Sequence, residues 1–173
     1  MNEAVAREAA NEADEVRTVE DDNIDDMYLT FKVGDEDYGV VISVVTEIVG
    51  MQRIMGIPDV PAYIKGVINL RGKVIPLMDV RLRFNMPERE YDERTVVIVL
   101  DVGEAPMGLI VDRVSEVLEI PASQIDRTNN GPANAGRSVV SGLGRIDERV
   151  AILLDENLLV SDSDVSLAVE VDA

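Results

Sequence analysis

The chain has 173 residues, 46% apolar and 29% charged, enough to bury a core in one domain or in two small fused units. It holds neither cysteine nor histidine, which removes disulfides, thiolate nucleophiles, cysteine-ligated metal centres and every imidazole base or ligand. Its 34 acids against 16 bases give a formal charge of −18, which opposes binding to nucleic-acid phosphates, where affinity comes from cations that displace condensed counterions.

Residues 1–26 carry acids, two arginines and almost no large apolar side chain, so they read as a mobile acidic tail. Strands follow. In MYLTFKV (27–33), Met27, Leu29, Phe31 and Val33 alternate with Tyr28, Thr30 and Lys32, the period of two expected of a half-buried strand. After a turn at Gly34 come YGVVI (38–42), a short SVV segment predicted as one helical turn, and EIV (47–49). The stretch 50–63 holds Gly56, Pro58 and Pro61 and reads as a long connection. GVINLRGKVIPLMDV (66–80) then reads as a hairpin with Arg71 at its turn, and DVRLRF as a helical end. The final residues, 161–173, form a second acidic tail.

The second half repeats this plan. YGVVISVVTEI (38–48) lies over MGLIVDRVSEV (107–117) at a shift of 69, pairing Gly39 with Gly108, Val45 with Val114 and Glu47 with Glu116. Farther on the shift is 76, and Gly66, Lys73, Val74, Leu77, Asp79 and Leu82 fall on Gly142, Arg149, Val150, Leu153, Asp155 and Leu158. The added length enters a loop, where insertion is thermodynamically cheap. A duplicated set of five short strands predicts a mainly β fold of two pseudo-repeated five-stranded barrels, because closure removes sheet edges. The expected boundaries are a first barrel over about 27–84, a second over about 94–154 and a C-terminal helix over about 155–160. Coincidence among valine-rich strands is the other reading of the repeat. The glycines Gly39, Gly66, Gly72, Gly108 and Gly142 are predicted to serve turns.

Catalytic and ligand-binding signatures are weak. The carboxylate pairs Asp35 with Asp37 and Asp162 with Asp164 lie in turns or tails, where solvated acids are the ordinary finding. GLGRID (142–147) lacks the third glycine and the following helix of a dinucleotide loop, and no stretch has the spacing of a calcium loop. No cofactor and no metal are expected. The few aromatics are scattered and read as core or rim. Protein-binding surface remains. VVIVL (96–100) and VAILL (150–154) are apolar on both strand faces, so one face packs in a barrel and the other needs a second cover. Either the two barrels cover each other, or a groove between them admits an apolar helix stripe of a partner.

The pieces YIKGVINLRGKVIPLMDVRLRF, YGVVISVVTEIV, RTVVIVL and MGLIVDRVSEVL, in this order and spacing, closely resemble the CheW family of chemotaxis coupling proteins over about residues 27–160. The resemblance implies two SH3-like barrels around a shared apolar interface and no catalytic activity. It also implies two partners: the regulatory domain of the CheA histidine kinase and the cytoplasmic hairpin tip of chemoreceptors. By its terms Lys65, Gly66, Asn69 and Arg71 match the IKG and NLRG pieces, Val45 and Glu47 match positions that affect coupling, and Val96 and Ile98 match the strand lining the inter-barrel groove. Ile75 belongs to the same partner-binding set. The protein is expected to be a monomer on its own, cytoplasmic, without direct membrane insertion, and assembled into receptor–kinase arrays. For Gly66 and Gly72 a structural role is expected, and for Glu47 both readings stay open, since Glu116 duplicates it. Arg71 has no such duplicate: its repeat partner is Asp147, and that of Asn69 is Arg145.

The acidic tail and the 128–137 loop match nothing in the family pattern. The acidic excess, with 13 Arg against 3 Lys, resembles proteins of salt-loving organisms. Within the same fold, coupling to surface motility or second-messenger output is the alternative. An enzyme using carboxylates and arginine, or a nucleic-acid-binding small barrel, would need a convergent pocket or a basic stripe.

Overall fold

The computed structural model describes residues 24–103, 105–127 and 139–160; residues 1–23 and 161–173 of the acidic tails and the whole 128–137 loop lie outside the described residues. Residues 24–26 do not belong to the tail. They form a 3-10 turn, and the Asp26 carbonyl accepts a hydrogen bond from the Ile120 amide at 2.8 Å.

The alternating segments become strands. The first half gives β1 (Met27–Val33), β2 (Glu36–Val41), β3 (Val45–Gly50), β4 (Ile64–Leu70) and β5 (Lys73–Asp79). The second gives β6 (Val96–Val102), β7 (Ala105–Val111), β8 (Arg113–Glu119), a two-residue β9 (Ile125–Asp126), β10 (Val140–Ile146) and β11 (Arg149–Leu154). The SVV turn is a 3-10 turn at Ile42–Val44. Each half ends in one short helix, α1 (Val80–Arg83) and α2 (Glu156–Leu159). Asp79 and Asp155 cap them through their carboxylates, so the duplicated Asp has a cap to make in each copy.

The strand order is β3-β6-β7-β5-β4 in one sheet and β8-β1-β2-β11-β10-β9 in the other. Each sheet therefore mixes the two halves of the chain, and neither matches the contiguous spans 27–84 and 94–154. The first two strands of each repeat leave their own copy and complete the other. Two parallel pairings make the exchange, β2 with β11 (Gly39 opposite Leu153) and β5 with β7 (Leu77 opposite Gly108).

The exchange explains two of the five glycines, and a crossing segment explains two more. A Cβ on Gly108 would stand 2.6 Å from a Leu77 methyl and 2.7 Å from one of Val97. A Cβ on Gly39 would stand 3.0 Å from Leu153, the counterpart of Leu77. Both lie within strands rather than in turns, and they let the exchanged strands approach. Gly66 and Gly142 also lie within strands, where a crossing segment passes over them. Met55 bridges to Val67 in one barrel and Asp126 pairs with Leu143 in the other. At Gly66 the backbone is at φ 142° and a Cβ would collide with the Met55 carbonyl. Of these five, only Gly72 is a turn glycine.

The two faces of β6 show why its sequence is apolar throughout. Val97 and Val99 pack inside their own barrel with Ile68, Leu70, Ile75, Leu77 and Ile110. Ile98 and Leu100 point the other way, into a larger core shared with Leu29, Phe31, Val40, Leu109 and Leu154. The barrels cover each other, and Phe31, Tyr38 and Phe84 stack within that shared core at centroid separations of 6.0 and 5.3 Å.

An ion cluster ties the two sheets together. Asp112, between β7 and β8, accepts hydrogen bonds from Arg81 Nε and Nη2 at 2.9 and 2.7 Å and from the Gly34 amide at 2.7 Å. Arg81 follows a strand of one sheet and Gly34 joins two strands of the other, so the carboxylate spans the joint.

Candidate functional site

The β4–β5 hairpin closes with two residues, Arg71 and Gly72, between the paired Leu70 and Lys73. Both are left-handed, at φ 54° and 85°, the arrangement of a type I′ turn, which favours Asn-Gly. An arginine in the first position costs about 1 kcal/mol of backbone energy against glycine. The turn is held by the Asn69 side-chain oxygen, which accepts from the Gly72 amide at 2.8 Å. Arg71 itself reaches over to β3, and its Nη2 donates to the Glu47 carboxylate. The guanidinium end stays open, since the Arg71 side chain is 69% exposed. An ion pair so exposed adds little stability.

The second barrel shows how little of this the barrel plan demands. Asp147 occupies the same left-handed first position, at φ 55°, so that position is duplicated and the arginine is not. Glu116, the counterpart of Glu47, does find a cation, Arg149 at 3.2 Å. Arg149 is the counterpart of Lys73, a regular strand position. A cross-barrel ion pair is therefore available without placing arginine in a strained turn. The duplicated Glu47 and Glu116 and the basic Lys73 and Arg149 were the sequence signal for this second pair.

Beside this turn lies an apolar lip. A one-residue bulge in β3, between Val45 and Glu47, puts Val45 opposite Leu100 and Ile48 opposite Ile98, so both aim at the inter-barrel side. Val96 shares that face, half-buried and opposite Gly50. Ile48 is 42% exposed and was not singled out from the sequence. The other edge strand carries the same bulge. There Val117, the counterpart of Ile48, lies opposite Leu29 and is 46% exposed.

The remaining expected site residues separate. Lys65 is the unpaired residue of a bulge at the far end of β4, about 20 Å along the strand from Arg71. Its ammonium pairs with Glu88 at 2.7 Å. Ile75 and Ile98 are 2% and 0% exposed, within the barrel core and the shared core respectively. A docking partner touches only what reaches the surface, so these two serve packing and not contact. Asn69, Arg71 and Glu47 form one cluster, and Val45, Ile48 and Val96 form the adjoining apolar lip.

Among the described residues no cluster of three or more carboxylates suits a metal ion, and no helix is long and apolar enough to cross a membrane.

Comparison with known proteins agrees with this geometry. The sequence profile of the CheW-like domain matches residues 27–164. A chemotaxis protein CheW of Klebsiella aerogenes is 40% identical over 140 residues, 81% of this chain and 84% of that protein. A probable chemotaxis protein CheW of Rhizobium etli is 34% identical over 140 residues, 81% of this chain and 90% of its own. The crystal structure of a scaffolding protein, TtCheW of Thermoanaerobacter tengcongensis, superposes with a TM-score of 0.72 at 30% identity, covering 80% of this chain and 94% of that one. The two barrels with exchanged strands, the exposed NLRG turn and the sequence matches together place this chain in the CheW-like domain family.

Proposed function

We propose that the chain is a non-catalytic scaffold of chemotaxis signalling that joins the cytoplasmic hairpin tip of chemoreceptors to the regulatory domain of the CheA histidine kinase. Holding both at once makes their encounter effectively intramolecular, so that receptor conformation biases the kinase. The observation that carries the reading is Arg71, an exposed guanidinium kept in a left-handed turn where the duplicated barrel uses Asp147. A residue kept against local backbone preference points to selection for contact. The adjoining lip of Val45, Ile48 and Val96 offers an apolar strip to a helix. Docking at the array would bring the protein to the membrane through its partners.

Reconstitution with kinase and receptor fragments from the same cell, in high salt, tests the proposal. Binding of neither fragment overturns it. Arg71→Asn suits the turn better than arginine, so thermal stability is expected to hold or rise by about 1 kcal/mol while affinity for one fragment falls about tenfold or more. Unchanged affinity for both fragments would make Arg71 a turn residue and nothing else.

A further inference from the structure

On a different face from the NLRG turn, the segment between α1 and β6 and the start of β8 enclose an open cleft of about 560 Å³. Its lining carries four cations, Lys32, Arg89, Arg94 and Arg113, against three carboxylates, in a chain whose acids outnumber its bases two to one. Two of the three carboxylates are spoken for, and the third, Glu93, is exposed. Asp112 is clamped by Arg81. Asp92 accepts from the amides of Arg94 and Thr95, at 2.8 and 3.2 Å, and pairs with Arg89 at 3.4 Å. Lys32 is balanced by Asp37 at 3.3 Å. Arg94 and Arg113 are the cations left over: among the described residues neither meets a carboxylate.

The two guanidinium groups come from separate elements, both already fixed. The Tyr91 hydroxyl anchors the segment before β6 by donating to Asp79 Oδ2 at 2.7 Å, and Arg113 opens β8 opposite Lys32 of β1. Their backbones are thus held in place, while both exposed side chains remain free to turn toward a ligand. The barrel plan asks for neither residue, since the positions 69 earlier hold Asp25 and Val44. Guanidinium forks match carboxylates in bidentate fashion. At physiological salt the repulsion from the remaining acidic surface is screened beyond about 8 Å, so a ligand inside the cleft answers to the local cations.

We propose that this cleft is a docking site for a carboxylate-rich peptide segment of a protein partner, held between Arg94 and Arg113. Hexaglutamate is the probe, titrated into the full chain at 0.15 M ionic strength and followed by amide chemical shifts and calorimetry, with inorganic phosphate as a parallel arm at the same ionic strength. The expected result is saturable shifts of residues 89–94 and 113 with the peptide, and about a tenfold loss of affinity in Arg94→Gln/Arg113→Gln at unchanged melting temperature. If the double variant melts early, the single variants Arg94→Gln and Arg113→Gln carry the test, each expected to lose about threefold or more. Equal binding by the variants overturns the proposal, as do shifts located elsewhere. Saturation by phosphate with no response to the peptide overturns it too, and makes the cleft a simple oxyanion site.

Discussion

At the scale of single residues, Asp112 decides most about the joint between the barrels. Burial alone would raise its carboxyl, but the hydrogen bonds from Arg81 and the Gly34 amide, with the charges of Arg81 and Arg89, outweigh burial and hold it below the usual aspartate range. A group whose folded pKa is depressed contributes stability above its unfolded value and loses it as pH falls through the folded one. Asp112→Asn keeps the shape but leaves Arg81, whose side chain is 15% exposed, facing a neutral amide. The expected cost at pH 7 is about 1–3 kcal/mol by denaturant unfolding. That gap should begin to shrink as pH drops below about 3.8, the ordinary aspartate value, and close at lower pH, where the depressed Asp112 carboxyl is itself protonated. A gap independent of pH would mean that Asp112 acts through its shape and not its charge. None of this was legible in the sequence, because Arg81 and Gly34 lie 31 and 78 positions away from Asp112. Arg71 was legible, because its motif is local and its repeat partner differs.

Individual elements were read well where side-chain period decides them and poorly where partners do. The alternation in MYLTFKV gave β1 with its bounds but not its expected half-buried face, since Tyr28 and Thr30, flanked by β2 and β8, are buried too. The two-sided apolar run in VVIVL announced a strand covered on both faces, which the two cores confirm. Period cannot say which strand lies next to which. β5 and β11 carry nearly the same pattern, so β2 pairs equally well with either on paper, and only three-dimensional closure chose β11. Family resemblance, and not period, put Ile75 and Ile98 in the partner-binding set. The habit of glycine near strand ends assigned the glycines to turns, whereas Gly39, Gly66, Gly108 and Gly142 mark close approaches. Alanine at these sites therefore ranks the contacts. Gly66→Ala meets backbone at a left-handed φ and should cost about 2–4 kcal/mol. Gly108→Ala meets two core side chains and should cost about 1–3 kcal/mol, and Gly39→Ala less, since its single close neighbour stands 3.0 Å away. Urea midpoints at constant slope give the order, and a Gly39 variant weaker than that at Gly66 would contradict the closure assigned to Met55.

For the whole molecule, the exchange of strands makes the two barrels one cooperative unit. Neither half of the chain owns a complete sheet, so separating the barrels means unfolding both. Against that unit works a formal charge of −18, which repels itself most in the compact state. The Debye length falls from about 10 Å at 0.1 M salt to about 3 Å at 1 M, so added salt weakens long-range repulsion between exposed carboxylates. The attraction best shielded from ions is that of Asp112 and Arg81, whose side chains are 17% and 15% exposed, while ion pairs such as Arg71 with Glu47 and Arg149 with Glu116 are more exposed and add little. Relief of repulsion should therefore exceed loss of attraction. The melting temperature is expected to climb by several degrees, roughly 1–2 kcal/mol of stability, between 0.1 and 2 M sodium chloride, with a single transition throughout. In Asp112→Asn the climb should persist, because the repulsion belongs to the surface and not to the joint. Equal stability at low and molar salt would show that the acidic surface is already spaced widely enough not to repel, and the salt-adapted reading of the composition would fall with it.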